Sequence, residues 1–128
     1  PGGRLVISHF SFLPRVDPIV AASEKLVLKY NPTWSGADWD GNFAPVPNWS
    51  KGVFDLVGWF VYDEPIPFTR ESWRGRMRAL RGIAASLNPV EVDAFDREHE
   101  ALLATLAGNE FTIAHRLNAH LFADGNGK

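Results

Sequence analysis

Several residues carry side chains suited to chemistry. His9 closes the apolar run Arg4-Leu5-Val6-Ile7-Ser8-His9-Phe10. A histidine at the end of a strand lies where open α/β sheets gather their ligands, and its imidazole can orient a substrate or take a proton near neutral pH. Arg70, Arg74, Arg76, Arg78 and Arg81 crowd one stretch, and Arg74, Arg78 and Arg81 share a face at helical spacing. Guanidinium forks so placed can hold a carboxylate or phosphate, so Arg74 and Arg78 are substrate-binding candidates, against the plainer reading of a solvated face. Trp34, Trp39, Phe43 and Trp49 fall in an irregular segment and can form the lid of an apolar pocket or fix that segment to the core. Trp34 and Trp73 join the substrate-binding candidates, although Trp73 with Met77 also has the spacing of core packing.

Other polar residues point away from chemistry. His99 lies on the apolar face of its helix, as a satisfied buried or boundary histidine does. His115 and His120 have odd spacing, which puts them on opposite faces of a strand, so no shared metal is expected. Ser8, Ser11 and Ser86 lack a glycine-flanked nucleophile turn. No residue is assigned a catalytic role.

These side chains must be positioned by recognisable elements. Pro1-Gly2-Gly3 is turn chemistry that feeds the first strand, whose consecutive Leu5, Val6 and Ile7 suit a strand covered on both faces, as in parallel sheets. Pro18 to Tyr30 predicts a helix capped by Asp17 and ended by Asn31-Pro32. Residues 33–50 read as an irregular aromatic loop over a site. Val53 to Asp63 predicts a second strand, closed by Glu64-Pro65-Ile66-Pro67. Thr69 caps a helix carrying Trp73, Met77, Leu80, Ala84 and Leu87 on one face. Asn88-Pro89 begins the next, with Val92, Phe95, His99, Leu102, Leu103 and Leu106 as its stripe and Gly108 as its stop. Phe111 to Phe122 predicts the last strand, with Phe111, Ile113, Leu117, Ala119 and Leu121 as its apolar set, and residues 123–128 a flexible tail.

The bulk composition narrows the partners. The chain has 128 residues, 45% hydrophobic and 22% charged, which suits one globular domain or a fragment of one. A net charge of -2 gives no global attraction to nucleic acid or anionic membrane, and the arginine-rich helix lacks interleaved stacking aromatics. Cysteine is absent, which excludes disulfides and thiolate chemistry and fits a reducing compartment. The longest apolar runs, such as Phe54 to Tyr62, fall well short of the about 20 residues of a membrane helix, and the N-terminus lacks a signal-peptide layout. A cytoplasmic protein with a small-molecule substrate is the expectation.

The order strand, helix, aromatic loop, strand, helix pair, terminal strand resembles the second half of a class I S-adenosylmethionine-dependent methyltransferase. Pro1-Gly2-Gly3-Arg4-Leu5-Val6-Ile7 is similar to that family's turn and fifth strand. Phe68 to Ala79 with Gly82 to Leu87 resembles a helical region of one bacterial subgroup, followed there by a helix like that around Phe95-Asp96 and a closing strand like Ile113-Ala114-His115-Arg116. The resemblance covers nearly the whole chain. It implies an α/β fold, the C-terminal half of a Rossmann-like methyltransferase sheet with three strands and about three helices, facing substrate. It implies S-adenosylmethionine as cofactor of the complete enzyme.

The family holds that cofactor mainly through a glycine-rich loop after its first strand. Here Gly2-Gly3 precedes a strand, so the chain alone is expected to bind no cofactor. The partner expected is a missing N-terminal half, or a second copy through the open edge of the first strand. The competing expectation is a self-contained α+β domain that binds a small ligand or dimerises without catalysis. Calorimetric titration of the isolated chain with S-adenosylmethionine is expected to show no binding at micromolar concentrations, and heat release there would contradict this.

Overall fold

In the computed structural model, which describes residues 2–125, the elements are β1 (Arg4–Phe12), α1 (Pro18–Tyr30), a 3-10 turn (Asn48–Ser50), β2 (Phe54–Thr69), α2 (Arg70–Arg78), α3 (Arg81–Ala84), α4 (Pro89–Leu106) and β3 (Glu110–Asp124). The fold is mixed α and β, with one three-stranded sheet in the order β1-β3-β2. The sheet is antiparallel, not parallel as the unbroken Leu5-Val6-Ile7 run suggested. Its register shows in three backbone bonds: Leu13 N–H donates to Ala114 O (3.0 Å), Arg70 N–H to Asn109 O (3.0 Å) and Gly125 N–H to Val53 O (3.1 Å). Nor is β1 covered on both faces, since Val6 is 59% exposed while Leu5 and Ile7 are half-buried. Antiparallel sheets tolerate a solvated face, and apolar residues on it need no helix above them.

The chain divides into two compact units, one of residues 12–40 and 65–114 and the other of residues 2–11, 41–64 and 115–125. The first holds all four helices. Its core comprises Val20, Leu26, Val27, Trp73, Met77, Ile83, Phe95, Leu103 and Ile113. Asp17 starts α1 as foreseen: its Oδ1 accepts from Ile19 N–H (2.9 Å), and its Oδ2 accepts from Ala114 N–H in β3 (2.9 Å). One carboxylate thus caps a helix and docks it. Asn88 and Glu91 form a capping box on α4, and Thr69 with Ser72 does the same on α2.

Three boundaries differ from expectation. The single helix foreseen from Thr69 to Leu87 breaks at Ala79 and Leu80, and a separate turn of helix, α3, follows. The break brings Gly82 under the Trp34 indole, so close that a Cβ there would stand 2.7 Å from the ring. Strand β2 runs on through Pro65 and Pro67 to Thr69 instead of stopping at them. β2 is an edge strand, and two prolines two residues apart share one side, where no ladder bond is needed. Ala123 and Asp124 belong to β3 rather than to a tail, and residues 126–128 of the expected tail lie outside the described residues.

Three buried polar side chains of the helical unit are linked. Trp73 Nε1–H donates to Ser23 Oγ (3.0 Å), which lies 2.8 Å from His99 Nε2, and all three residues are fully buried. His99 Nδ1 has no hydrogen-bond partner among the described residues, so this histidine is buried as expected but only half satisfied. Burial pushes its pKa down from 6.5 to about 4, overriding the attraction of Asp96. Below pH 6.5 the unfolded chain gains a proton that the folded chain refuses until about pH 4, so stability is lost as pH falls through that window. The loss should total on the order of 3 kcal/mol. Urea melts from pH 7 to 4 should show it, and His99→Gln should flatten the slope; equal slopes would remove His99 as the cause.

Candidate functional site

The second unit positions the most chemical arrangement among the described residues. Three side chains form a line: His9 on β1, then Asn118 and His120 two residues apart on β3. His9 Nδ1 lies 3.0 Å from Asn118 Oδ1, Asn118 Nδ2 lies 3.0 Å from His120 Nδ1, and His120 Nε2 lies 3.0 Å from the carbonyl of Ala44. Asn118 and His120 are almost fully buried, whereas His9 is exposed.

The carbonyl end sets the direction of every bond. Ala44 O can only accept, so His120 Nε2 carries a proton and donates. In the neutral ring Nδ1 then holds a lone pair and accepts from the Asn118 amide N–H. That turns Asn118 Oδ1 toward His9, whose Nδ1–H donates to it. Neutral His9 is thereby fixed with its proton on Nδ1, leaving Nε2 as an acceptor with no partner among the described residues. The reversed amide would require His120 to donate from both nitrogens, which only the cation can do.

Local packing holds the line in place. Trp59 stacks on His120 (5.6 Å between centroids, 16° between planes), and Phe122 also stacks on His120 at 6.0 Å. Phe43 lies 5.5 Å from the His9 ring, and Trp49 and Phe54 pack on Phe122. Arg116 ties the loop down by donating to Gly41 O (2.8 Å) while pairing with Asp63 (2.7 Å), which holds that carboxyl below its usual range. Gly41 has φ of 85°, a conformation that favours glycine. Between strands and loop lies a cavity of about 160 Å³ lined by Ile7, His9, Phe43, Ala44, Pro47, Trp49 and His120. A broader groove of about 580 Å³ in the helical unit runs past Phe68, Thr69, Ser72, Glu110 and Phe111. It has no histidine, lysine or arginine in its wall, and chemistry favours the smaller cavity.

The expected site residues separate. His9 lines the cavity. Trp34 lies in the helical unit, half-buried against Gly82 and the core. Trp73 is fully buried at the centre of that core, edge-on to Phe12 and Phe68, with its N–H given to Ser23. Arg74 and Arg78 both pair with Asp96 of α4, Arg74 through Nε at 3.0 Å and through Nη2. That contact raises the Arg74 pKa and holds the Asp96 carboxyl well below the usual range. Both forks therefore meet a carboxylate of their own chain and join α2 to α4. Of the aromatic segment, Trp34 and Trp39 fall in the helical unit, and Phe43 and Trp49 in the other.

Asn118 and His120 escaped the sequence reading. The apolar set was assigned to Leu117, Ala119 and Leu121, but Asn118, His120 and Phe122 are the buried positions, and Leu121 is exposed. The available signal was Asn-x-His-x-Phe in strand alternation, polar groups in phase with a large aromatic. His115 lies out of phase with His120, stacked on Phe10 at 4.5 Å.

Comparison with protein-family models, with curated proteins and with solved structures finds no match for the chain. Asp96→Ala would take the shared carboxylate from Arg74 and Arg78, leaving Arg74 its longer pair with Glu100 (3.5 Å), and should cost about 2 kcal/mol, between the surface and buried limits for such pairs. Thermal or urea melts would measure it, and a variant as stable as the parent would show the pairs to be energetically idle.

Proposed function

We propose that the chain is the substrate-side portion of an S-adenosylmethionine-dependent methyltransferase that acts on a small molecule. The observation that carries this reading is the cavity at His9, a small, mostly apolar and partly open cleft against an aromatic loop, with one acceptor nitrogen held in a fixed tautomer. Such a site binds and orients a substrate, and positioning of this kind supplies much of the catalysis in a displacement reaction.

The residues present do not fit the cofactor. Gly2 and Gly3 precede β1, neither helix following a strand opens on a Gly-x-Gly turn, and α2 is capped by Thr69 and Ser72. Cofactor binding in this reading belongs to another portion. The outer edge of β1 is compatible with that division, because β1 pairs only with β3 among the described residues and offers its remaining N–H and C=O groups to a further strand. A Rossmann-like sheet in the complete enzyme would then continue beyond β1, since antiparallel strands at the margin of a parallel sheet are common.

A self-contained α+β domain that binds a small ligand is the second reading, favoured by the three strands pairing with one another. The full reading frame that encodes the chain decides between them. It is expected to contain a strand, Gly-x-Gly, helix unit ahead of Pro1, and its product to bind S-adenosylmethionine in calorimetry. A complete product with neither property selects the second reading.

A further inference from the structure

We propose that the His9 cavity takes a neutral, single-ring aromatic bearing a hydroxyl group, whose O–H donates to His9 Nε2. As the substrate class of that same site, the inference rests on the reading of the cavity given above. It deepens that reading by naming what the relay selects.

The size sets one limit. A cavity of about 160 Å³ compares with the roughly 150 Å³ apolar cavity that holds a benzene molecule. One six-membered ring fits and two fused rings do not, unless the second lies outside. Wall chemistry sets the next. Phe43 and Trp49 present ring surface, and Ile7, Ala44 and Pro47 are aliphatic, so a flat apolar body is favoured over a sugar-like one.

Charge sets the third. No lysine or arginine lines the cavity to neutralise a carboxylate or phenolate, and no aspartate or glutamate lines it to hold an ammonium. An ionic group against this wall would lose hydration with no opposite side-chain carboxylate, ammonium or guanidinium beside it, so a neutral ligand is favoured.

Polarity sets the last. His120 is committed at both nitrogens, to Ala44 O and to Asn118, and His9 is committed at Nδ1. The remaining lone pair is His9 Nε2. Its complement is a donor, and an analogue without the matching hydrogen leaves that acceptor unpaired and binds more weakly. Asn118 and His120 touch no ligand in this arrangement. They are positioning residues that keep the His9 proton on Nδ1.

The test uses the chain as it is, with phenol and anisole as single-ring probes, anisole carrying a methyl group where phenol carries the hydroxyl hydrogen. Calorimetry or NMR titration should show phenol binding, with anisole weaker by about tenfold, the worth of one hydrogen bond. His9→Phe should bring the two affinities together. In the unaltered chain, ¹⁵N shifts of the His9 ring should report the Nδ1–H tautomer, and Asn118→Ala should shift it toward Nε2–H while the anisole affinity stays. Equal binding of phenol and anisole, binding of neither, or a His9 ring protonated on Nε2 would each overturn the inference. No methyl donor enters this experiment, so its failure leaves the search for the cofactor-binding unit untouched, and failure of that search leaves the phenol result standing.

Discussion

The Ala44 carbonyl is the fixed point from which the chemistry of the candidate site follows. A backbone oxygen cannot donate, so it dictates the tautomer of His120, which dictates the orientation of Asn118, which dictates the tautomer of His9. Each link is an ordinary hydrogen bond of modest net worth. The sequence of links matters more than their strength, because reversing any one sets a donor against a donor or an acceptor against an acceptor. Strand β3 makes this possible: bonded to β1 on one edge and β2 on the other, it carries Asn118 and His120 in an immobilised frame. A polar pair at core positions of a central strand is costly unless fully bonded, and here every nitrogen and oxygen of the pair that could be stranded has a partner.

The helical unit handles its buried and half-buried polar groups differently. Arg74 and Arg78 converge on Asp96, a bridge between two helices in which one carboxylate serves two cations. Arg76, between them in sequence, points its guanidinium over the Phe12 ring at 5.1 Å, and burial lowers its pKa. The helix thus spends its arginines on packing as well as charge, as long amphipathic side chains do. The Ser23, Trp73 and His99 set is less complete, with one histidine nitrogen unmatched in a core otherwise built of aliphatic and aromatic side chains.

Helices were the legible part of the sequence. Asp17-Pro18 and Asn31 bracket α1, and Asn88-Pro89 and Gly108 bracket α4, because capping chemistry is local and a few residues encode it. Sheet direction was not legible. Leu5-Val6-Ile7 is compatible with a strand buried on both faces or with an antiparallel strand whose second face stays wet, and only pairing partners distinguish them. Pro65 and Pro67 looked like a stop because a proline removes a donor, but the donor is superfluous along an outer edge.

Of the candidate site, His9 was legible by type but not by place: it was expected where the strand meets its following loop, whereas β1 runs on to Phe12, and His9 reaches the cavity from within the strand on the same face as Ile7. Its partners were not, since hydropathy points to the other phase of β3: Leu117, Ala119 and Leu121 are a more apolar set than Asn118, His120 and Phe122, which the strand buries. Trp73, Arg74 and Arg78 were conspicuous by type, yet the structure gives each of them a partner within the chain.

The anchoring role of Ala44 carries a further meaning. The group that sets the direction of the relay belongs to the main chain, so every amino acid would supply it equally. The methyl side chain of Ala44 shapes the cavity wall but takes no part in orienting the imidazoles. What must be preserved at this position is the path of the loop, which is held by contacts made elsewhere, at Gly41 by Arg116 and at the Asn48–Ser50 turn by the Ser50 hydroxyl bonded to Pro47 O. A survey of residue identities would pass over position 44, and the determinants of the histidine chemistry would surface instead as an arginine, a glycine and a serine that never approach the imidazoles' free nitrogen.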